Sequence, residues 1–311
     1  MTYGDSGDNR LSKNERREVA REKARAIREA QKKRERRSRI ILQGSLALAV
    51  LAIVAVVAIV IATQLKPPAP GPLNMLSDGI KIGKDFKAVP TSGLKPGQDP
   101  VASASNVPSD VFDIRVYVDY LCPVCGAFEK ANAAHIKQLV ADGVATLEIH
   151  PITILDRLSM GTKYSTRAVN AAACVANYSP DSYFDFSALL FENQPSENSA
   201  GLTDDQIIQV AKKANVNRES AIASCITGQE FKNWVSASTS RALAGPVPGT
   251  TVDKITGTPT VFVNGQQYQF TTDASGAFNP KEFQAFLIQA AGADYTKKAS
   301  PSPSPTATPT P

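Results

Sequence analysis

The sequence predicts an α/β fold that contains an inserted helical domain and is preceded by one transmembrane helix. Three observations support this prediction. Residues 40–62 form an apolar run of 23 positions, a strand–helix–strand pattern begins at residue 111, and a strand hairpin at residues 260–270 follows a long helical stretch. The first pattern is typical of a membrane anchor, and the other two are typical of a sheet with helices packed against it.

The first 39 residues form a basic arm that contains 14 Lys and Arg against 7 Asp and Glu, while all 311 residues together carry only +5. The rest of the chain is therefore slightly acidic, which disfavours a globular domain that binds nucleic acid. Basic residues beside an apolar span stay on the cytoplasmic side of a membrane. We therefore expect residues 1–39 in the cytoplasm and the main domain on the extracytoplasmic side of the cell membrane.

Residues 40–62 would form a helix of about 35 Å, which is long enough to cross a hydrocarbon core of roughly 30 Å in the lipid bilayer. The alternative is a cleaved secretory signal peptide. Such a peptide has a shorter apolar core and a small-x-small cleavage site, which does not follow this run. We therefore predict an uncleaved signal anchor that spans the membrane once.

The chain after the anchor divides into a stem, a folded domain and a tail. Residues 63–109 are rich in Pro, Gly and Ser near both ends, so we expect an extracytoplasmic linker, with a short strand possible at residues 79–89. Residues 110–294 contain the periodic patterns of a folded domain, and the helical insertion covers about 163–241. Residues 295–311 are nearly all Ser, Pro, Thr and Ala, which predicts a disordered tail.

Two cysteines, Cys122 and Cys125, follow the first buried strand of the domain and open a helix. The free N–H groups and dipole at a helix N-terminus favour the thiolate of the first cysteine, and Pro123 suits the first helical position. We interpret Cys122 as the attacking and leaving thiol, and Cys125 as the buried resolving thiol. A zinc site would need a second CxxC or a His pair, so we predict no metal and no other cofactor.

The order strand, CxxC, helix, strand, helical block, Thr-Pro, strand and hairpin resembles that of DsbA-type proteins in the thioredoxin superfamily. The stretches DYLCPVCGAFE and GTPTVFVNG carry this resemblance, which covers residues 111–291. More closely, the chain resembles membrane-anchored DsbA-like proteins of Gram-positive bacteria. The resemblance implies that Cys122 and Cys125 are the redox pair, that Pro259 is cis and faces them, and that Thr258 contacts the client peptide.

The same resemblance implies a protein thiol-disulfide oxidoreductase that exchanges its disulfide with cysteines of secreted or envelope proteins. It also implies reoxidation by a quinone-linked membrane partner. Val124 stands where strongly oxidising members have His, and Thr258 is more typical of the isomerase branch, so an isomerase or reductase is an alternative. A non-enzymatic envelope-binding module with a structural CxxC, or a thiol metallochaperone, is a further alternative.

Three more residues are candidates for roles in the folded domain. Cys174 and Cys225 lie in the helical block, on the predicted oxidising side, so a structural disulfide is expected, with two buried thiols as the alternative. Asp119 precedes Cys122 by three residues and could relay a proton to Cys125, although a hydrogen-bonded acid at a strand end is the plainer interpretation.

The remaining titratable candidates receive structural interpretations. Glu129, one turn after Cys125, is interpreted as a surface or salt-bridged residue. His150 ends the second strand and is interpreted as a core histidine, and His135 has no argued role. Aromatic side chains of the helical block are expected in its core, namely Trp234, Phe184, Phe186 and Phe191.

Overall fold

The computed structural model describes residues 13–64, 69–103 and 111–299. It divides into two compact units, Met1–Pro67 and Pro68–Pro311. The predicted disordered tail, residues 295–311, is instead helical at residues 295–299, where it continues the last helix, and it lies outside the described residues from residue 300 onward.

The first unit is one long helix, α1 (Lys13–Gln64), which includes most of the basic arm and the whole apolar run. Apolar side chains such as Ile41 and Leu51 are more than 60% exposed on it. Within the part of the chain that the structure describes, the stretch Arg21–Val57 is long and apolar enough to cross a membrane. This finding agrees with the predicted transmembrane helix.

The second unit is built on a five-stranded sheet with the order β1-β3-β2-β4-β5. The two central strands, β2 and β3, are parallel, and every other pair is antiparallel. The parallel pair confirms the predicted strand–helix–strand unit, and Asn264-Gly265 forms the β4–β5 turn with positive φ at both residues. The strands are β1 (Ile80–Ile82), β2 (Phe112–Val118), β3 (Ala145–Pro151), β4 (Thr260–Val263) and β5 (Gln266–Tyr268).

The helices of the second unit fall into three groups. The crossover helix α2 joins β2 to β3 and ends at Gly143, whose φ of 75° lets it close the helix in the left-handed conformation. Five helices between β3 and β4 form the inserted helical block, and a final helix packs beside α2. They are α2 (Pro123–Asp142), α3 (Tyr164–Tyr178), α4 (Tyr183–Glu192), α5 (Asp204–Lys213), α6 (Glu219–Gly228), α7 (Lys232–Ala244) and α8 (Pro280–Ala299).

The two faces of the sheet differ in chemistry because side chains alternate along each strand. Val116 and Val118 belong to the main apolar core together with α2 and the helical block. The opposite face buries a smaller cluster around Tyr117 and a charged pair, Arg115 with Glu148, whose Nε and Oε2 atoms are 3.3 Å apart. The main core therefore lies on the α2 side of the sheet.

Residues 69–103 pack against the sheet, which differs from the loosely packed linker that the sequence predicts. β1 is the expected short strand, and both Met75 and Ile82 are completely buried. The hydroxyls of Ser77 and Ser103 each donate a hydrogen bond of 2.6 Å to the Glu148 carboxylate. The Pro- and Gly-rich composition correctly indicated irregular backbone, but it could not show that this backbone covers a buried charge.

Candidate active site

Cys122 is the residue that caps the N-terminus of α2, as the CxxC pattern predicts. Its backbone is extended, with φ −72° and ψ 114°, and Pro123 takes the first helical position. Its carbonyl accepts the first hydrogen bond of the helix, from the Gly126 N–H at 3.1 Å. Cys122 is 5% exposed and Cys125 is 1% exposed, and both are free thiols in the structure. The first sulfur therefore lies at the surface edge of the site and the second lies beneath it.

The surroundings of the two thiols move their pKa values in opposite directions. A hydrogen bond from Cys125 is the largest cause that lowers the pKa of Cys122, to about 6, and Thr258 and the N–H groups of Cys125 and Val124 also lower it. Burial raises the pKa of Cys125 well above its ordinary value, and the nearby Cys122 raises it further. The pair therefore combines a thiolate with a neutral thiol near pH 7.

The Thr258–Pro259 peptide bond is cis and directly precedes β4. In its protonated form, the Cys122 thiol donates a hydrogen bond of 3.2 Å to the Thr258 carbonyl. The structure thus brings Thr258 next to the first cysteine, although 136 positions separate them in the chain.

Asp119 is completely buried at the end of β2 and holds the loop around the site. Its Oδ1 accepts hydrogen bonds from the Leu121 N–H and the Ser165 hydroxyl, and its Oδ2 accepts from the N–H groups of Ile154 and Leu155, all within 3.0 Å. Burial raises the pKa of Asp119, although these four hydrogen bonds oppose the change. Because both oxygens are fully engaged, the contacts favour the plainer interpretation, a hydrogen-bonded strand-end acid, over a proton relay.

Glu129 lies closer to the chemistry than a surface residue would. It follows Cys125 by one helical turn, and both residues line a cavity of about 20 Å³, roughly the size of one water molecule, with Ser187 and mostly apolar side chains. No hydrogen-bond or ion-pair partner of its carboxylate lies among the described residues. Burial raises the pKa of Glu129 to about 7. The spacing of four residues indicates that Glu129 lies on the same face of α2 as Cys125. The sequence does not show that other side chains pack over this face.

Gln194, in the loop after α4, is another residue at the site that the sequence analysis did not single out, and it belongs to no motif. Its side-chain amide donates hydrogen bonds to the carbonyls of Tyr120 and Cys122. A glutamine 72 residues from the cysteine in a loop gives no pattern from which this contact could be predicted.

The other candidates lie away from the two free thiols. Cys174 and Cys225 form a disulfide that joins α3 to α6, with Cα atoms 5.9 Å apart. His150 is buried on the opposite sheet face from Cys125 and stacks on Tyr117, with ring centroids 4.5 Å apart. His135 is half-buried on α2.

The predicted core aromatics occupy the helical block, where each is buried or half-buried: Trp234, Phe184, Phe186 and Phe191. Across the described ranges, no three His, Cys, Asp or Glu side chains come together as a metal-binding group.

Comparison with known proteins identifies the family. A family described as thioredoxin matches residues 112–288, which is more than half of the chain. The chain belongs to this thioredoxin family. Reduced DsbA of Mycobacterium tuberculosis is similar in structure, with a TM-score of 0.50 and 25% identity over 71% of this chain and 98% of that one. The second unit therefore has the fold of DsbA-type thiol-disulfide oxidoreductases.

Two further matches are also to proteins of M. tuberculosis. The oxidised form of M. tuberculosis DsbA gives 27% identity and a TM-score of 0.49, covering 69% of this chain and 93% of that chain. Serine/threonine-protein kinase PknE of M. tuberculosis is 36% identical over 132 residues. Those residues are 41% of this chain, and the chain spans only 23% of the kinase.

Proposed function

We propose that this protein is a membrane-anchored thiol-disulfide oxidoreductase that transfers the Cys122–Cys125 disulfide to cysteines of secreted proteins. The observation that carries the proposal is the position of Cys122 at the N-terminus of α2, next to the cis Thr258–Pro259 bond. There the lowered pKa makes Cys122 a good leaving group, which favours the reduced pair and gives the disulfide oxidising power.

Transfer would proceed in two exchanges. A client thiolate attacks the Cys122 sulfur, the Cys122–Cys125 bond breaks, and Cys125 leaves with the electron pair of that bond. Glu129 is placed to supply the proton that this leaving thiolate takes up, because both line one cavity. A second client thiolate then attacks the client sulfur of the mixed disulfide, and Cys122 leaves as a stable thiolate. The client gains one disulfide and the enzyme pair is reduced.

The location of the chemistry follows from the anchor and the second cysteine pair. We place residues 40–62 in the bilayer, residues 1–39 in the cytoplasm and the sheet domain outside. The Cys174–Cys225 disulfide supports an oxidising compartment, because such bonds rarely persist in the cytosol. Reoxidation of the reduced pair requires an external oxidant, for which we propose a quinone-linked membrane partner.

Trapping of the mixed disulfide tests this function. A Cys125→Ala variant lacks the resolving thiol, so in intact cells it should accumulate Cys122-linked complexes with secreted proteins. The matched Cys122→Ser variant should accumulate none. Complexes formed equally by both variants, or only with cytosolic proteins, would contradict the proposal.

The isomerase or reductase alternative is decided by the redox potential of the Cys122–Cys125 pair. An oxidase predicts a value toward about −120 mV, whereas a value near −270 mV belongs to a reductase. Equilibration with glutathione mixtures, read by mass spectrometry of alkylated Cys122, measures this potential directly.

A further inference from the structure

We propose that Gln194 is a positioning residue for Cys122, through which the helical insertion holds the turn that presents this cysteine. The proposal rests on the function proposed above. The Nε2 group of Gln194 donates to the Tyr120 carbonyl at 3.0 Å and to the Cys122 carbonyl at 2.9 Å. Both protons of one amide group are therefore used to tie together two carbonyls of the turn that enters α2.

The contact acts on the backbone group that sets the start of α2. The Cys122 carbonyl accepts from Gln194 and also from the Gly126 N–H at 3.1 Å, so both of its lone pairs have donors. Rotation of this carbonyl would break both bonds and would move the Cys122 sulfur away from the free N–H groups of the helix end. The direction of the Cys122 side chain therefore depends on a residue of the helical insertion.

Gly126 leaves the space that the Gln194 amide occupies. A Cβ atom at position 126 would clash with the Gln194 Oε1 atom. Glycine is otherwise unfavourable inside a helix, where alanine is preferred. The glycine thus has a specific physical reason at this position, because a larger residue would displace the amide.

Helix α4, which precedes Gln194, holds the side chain of Tyr120 through separate contacts. The Tyr120 ring packs against Phe191 with centroids 5.1 Å apart, and its hydroxyl lies 3.1 Å from the Ser187 hydroxyl. The Gln194 N–H also donates to the Phe191 carbonyl at 3.1 Å, which holds the loop itself. Loss of the Gln194 side chain would therefore leave the Tyr120 ring and hydroxyl anchored, while the carbonyls of Tyr120 and Cys122 would each lose a donor.

A Gln194→Ala variant tests the proposal, with Gln206→Ala as the matched control. Gln206 also bonds to backbone through its amide, accepting from the Thr203 N–H at 2.8 Å at the start of α5, away from the thiols. In the reduced full-length protein, Gln194→Ala should shift the midpoint of Cys122 alkylation to higher pH. It should also slow disulfide transfer about threefold to tenfold, as expected for the hydrogen bond lost at the Cys122 carbonyl. Gln206→Ala should lower Tm without moving that midpoint.

A Gly126→Ala variant gives an independent test that does not remove the glutamine. It should reproduce the shift of Gln194→Ala. The double variant should shift the midpoint little further, because both changes remove the same contact between the Gln194 amide and the Cys122 carbonyl. The proposal is overturned if Gln194→Ala leaves the midpoint unchanged, or if the two effects multiply. Should Gln194→Ala not fold, the Gly126→Ala midpoint alone decides in the same way.

The alkylation readout separates this proposal from the proposed function, since it needs no client. A parent protein that transfers no disulfide, but whose midpoint shifts in Gln194→Ala, would refute the oxidoreductase function and support the positioning role. Normal disulfide transfer by the parent, with no midpoint shift in the variants, would support the oxidoreductase function and refute the positioning role.

Discussion

The two cysteine pairs of this chain are both buried, but their surroundings give them different chemistry. Cys174 and Cys225 join two helices across the block and are 0% and 2% exposed. Cys122 and Cys125 share the first turn of one helix, next to a cis peptide bond, and are 5% and 1% exposed. Burial alone therefore does not decide whether a cysteine is structural. We attribute the proposed reactivity of Cys122 and Cys125 to the helix terminus with its free N–H groups.

The largest expected effect comes from Cys122→Ser. The hydroxyl cannot form the mixed disulfide, so disulfide transfer to a reduced two-cysteine peptide should fall by at least about a thousandfold. Liquid chromatography of the peptide measures the transfer. A Cys174→Ala, Cys225→Ala double variant serves as the control and should transfer within about twofold of the parent in its folded fraction. Equal losses of transfer rate in both variants would contradict the proposal that one cysteine pair is catalytic and the other is structural.

The second pair should instead determine stability. Its disulfide closes a loop of about fifty residues, so the double alanine variant should lose about 4 kcal/mol of unfolding free energy. Urea denaturation followed by circular dichroism measures this loss. An unchanged free energy of unfolding would show that the Cys174–Cys225 bond does not act as a structural crosslink.

Glu129 sharpens the comparison, because we propose a proton donor for the Cys122–Cys125 pair and none for the structural disulfide between α3 and α6. Glu129→Gln should slow cleavage of the Cys122–Cys125 disulfide about tenfold, since a proton donor is lost. At a fixed concentration of client thiolate, the parent rate should fall as pH rises through about 7, where Glu129 ionises, and the variant rate should not. The exposed Glu192→Gln is the control, and identical pH profiles in all three proteins would exclude the proton role.

The same residue makes a prediction about stability. The pKa of Glu129 rises from 4.5 to about 7 on folding, so its stabilising contribution is complete below 4.5 and is lost as pH rises through 7. Glu129→Gln should therefore be more stable than the parent at pH 8, where the parent holds a charge at this half-buried position. Thermal unfolding at pH 5 and pH 8 tests this, and a variant that is no more stable at pH 8 would show that the carboxylate is well solvated.

The smallest effect is expected from Val124→His, which changes the residue between the redox cysteines. Val124 is 39% exposed, so a histidine there has room, and its positive form would stabilise the neighbouring thiolate. Alkylation of Cys122 at pH 5.5 should rise about threefold. An unchanged rate would mean that the helix end and Cys125 already stabilise the thiolate fully.

Much of this molecule could be predicted from the sequence because its signals are local. A CxxC at a strand end, an Asn-Gly turn and a charge-free run of apolar residues each act through neighbouring backbone, so the strands, α2 and the apolar helix were predictable. The packing of residues 69–103 was not, because it depends on Glu148, which lies far along the chain. The contact of Gln194 and the covered face of Glu129 are likewise tertiary, and no spacing in the sequence encodes them.

The pH dependence of Cys122 alkylation tests the central claim most directly. The pKa of Cys122 falls from 9.0 to about 6 in the folded, reduced protein, so the thiolate stabilises that state increasingly between these values and the contribution is lost as pH falls through 6. Iodoacetamide labelling of the reduced protein, quantified at Cys122 by mass spectrometry, should show a midpoint near pH 6. A midpoint at or above about pH 8.5, the value of an ordinary thiol, would contradict the account.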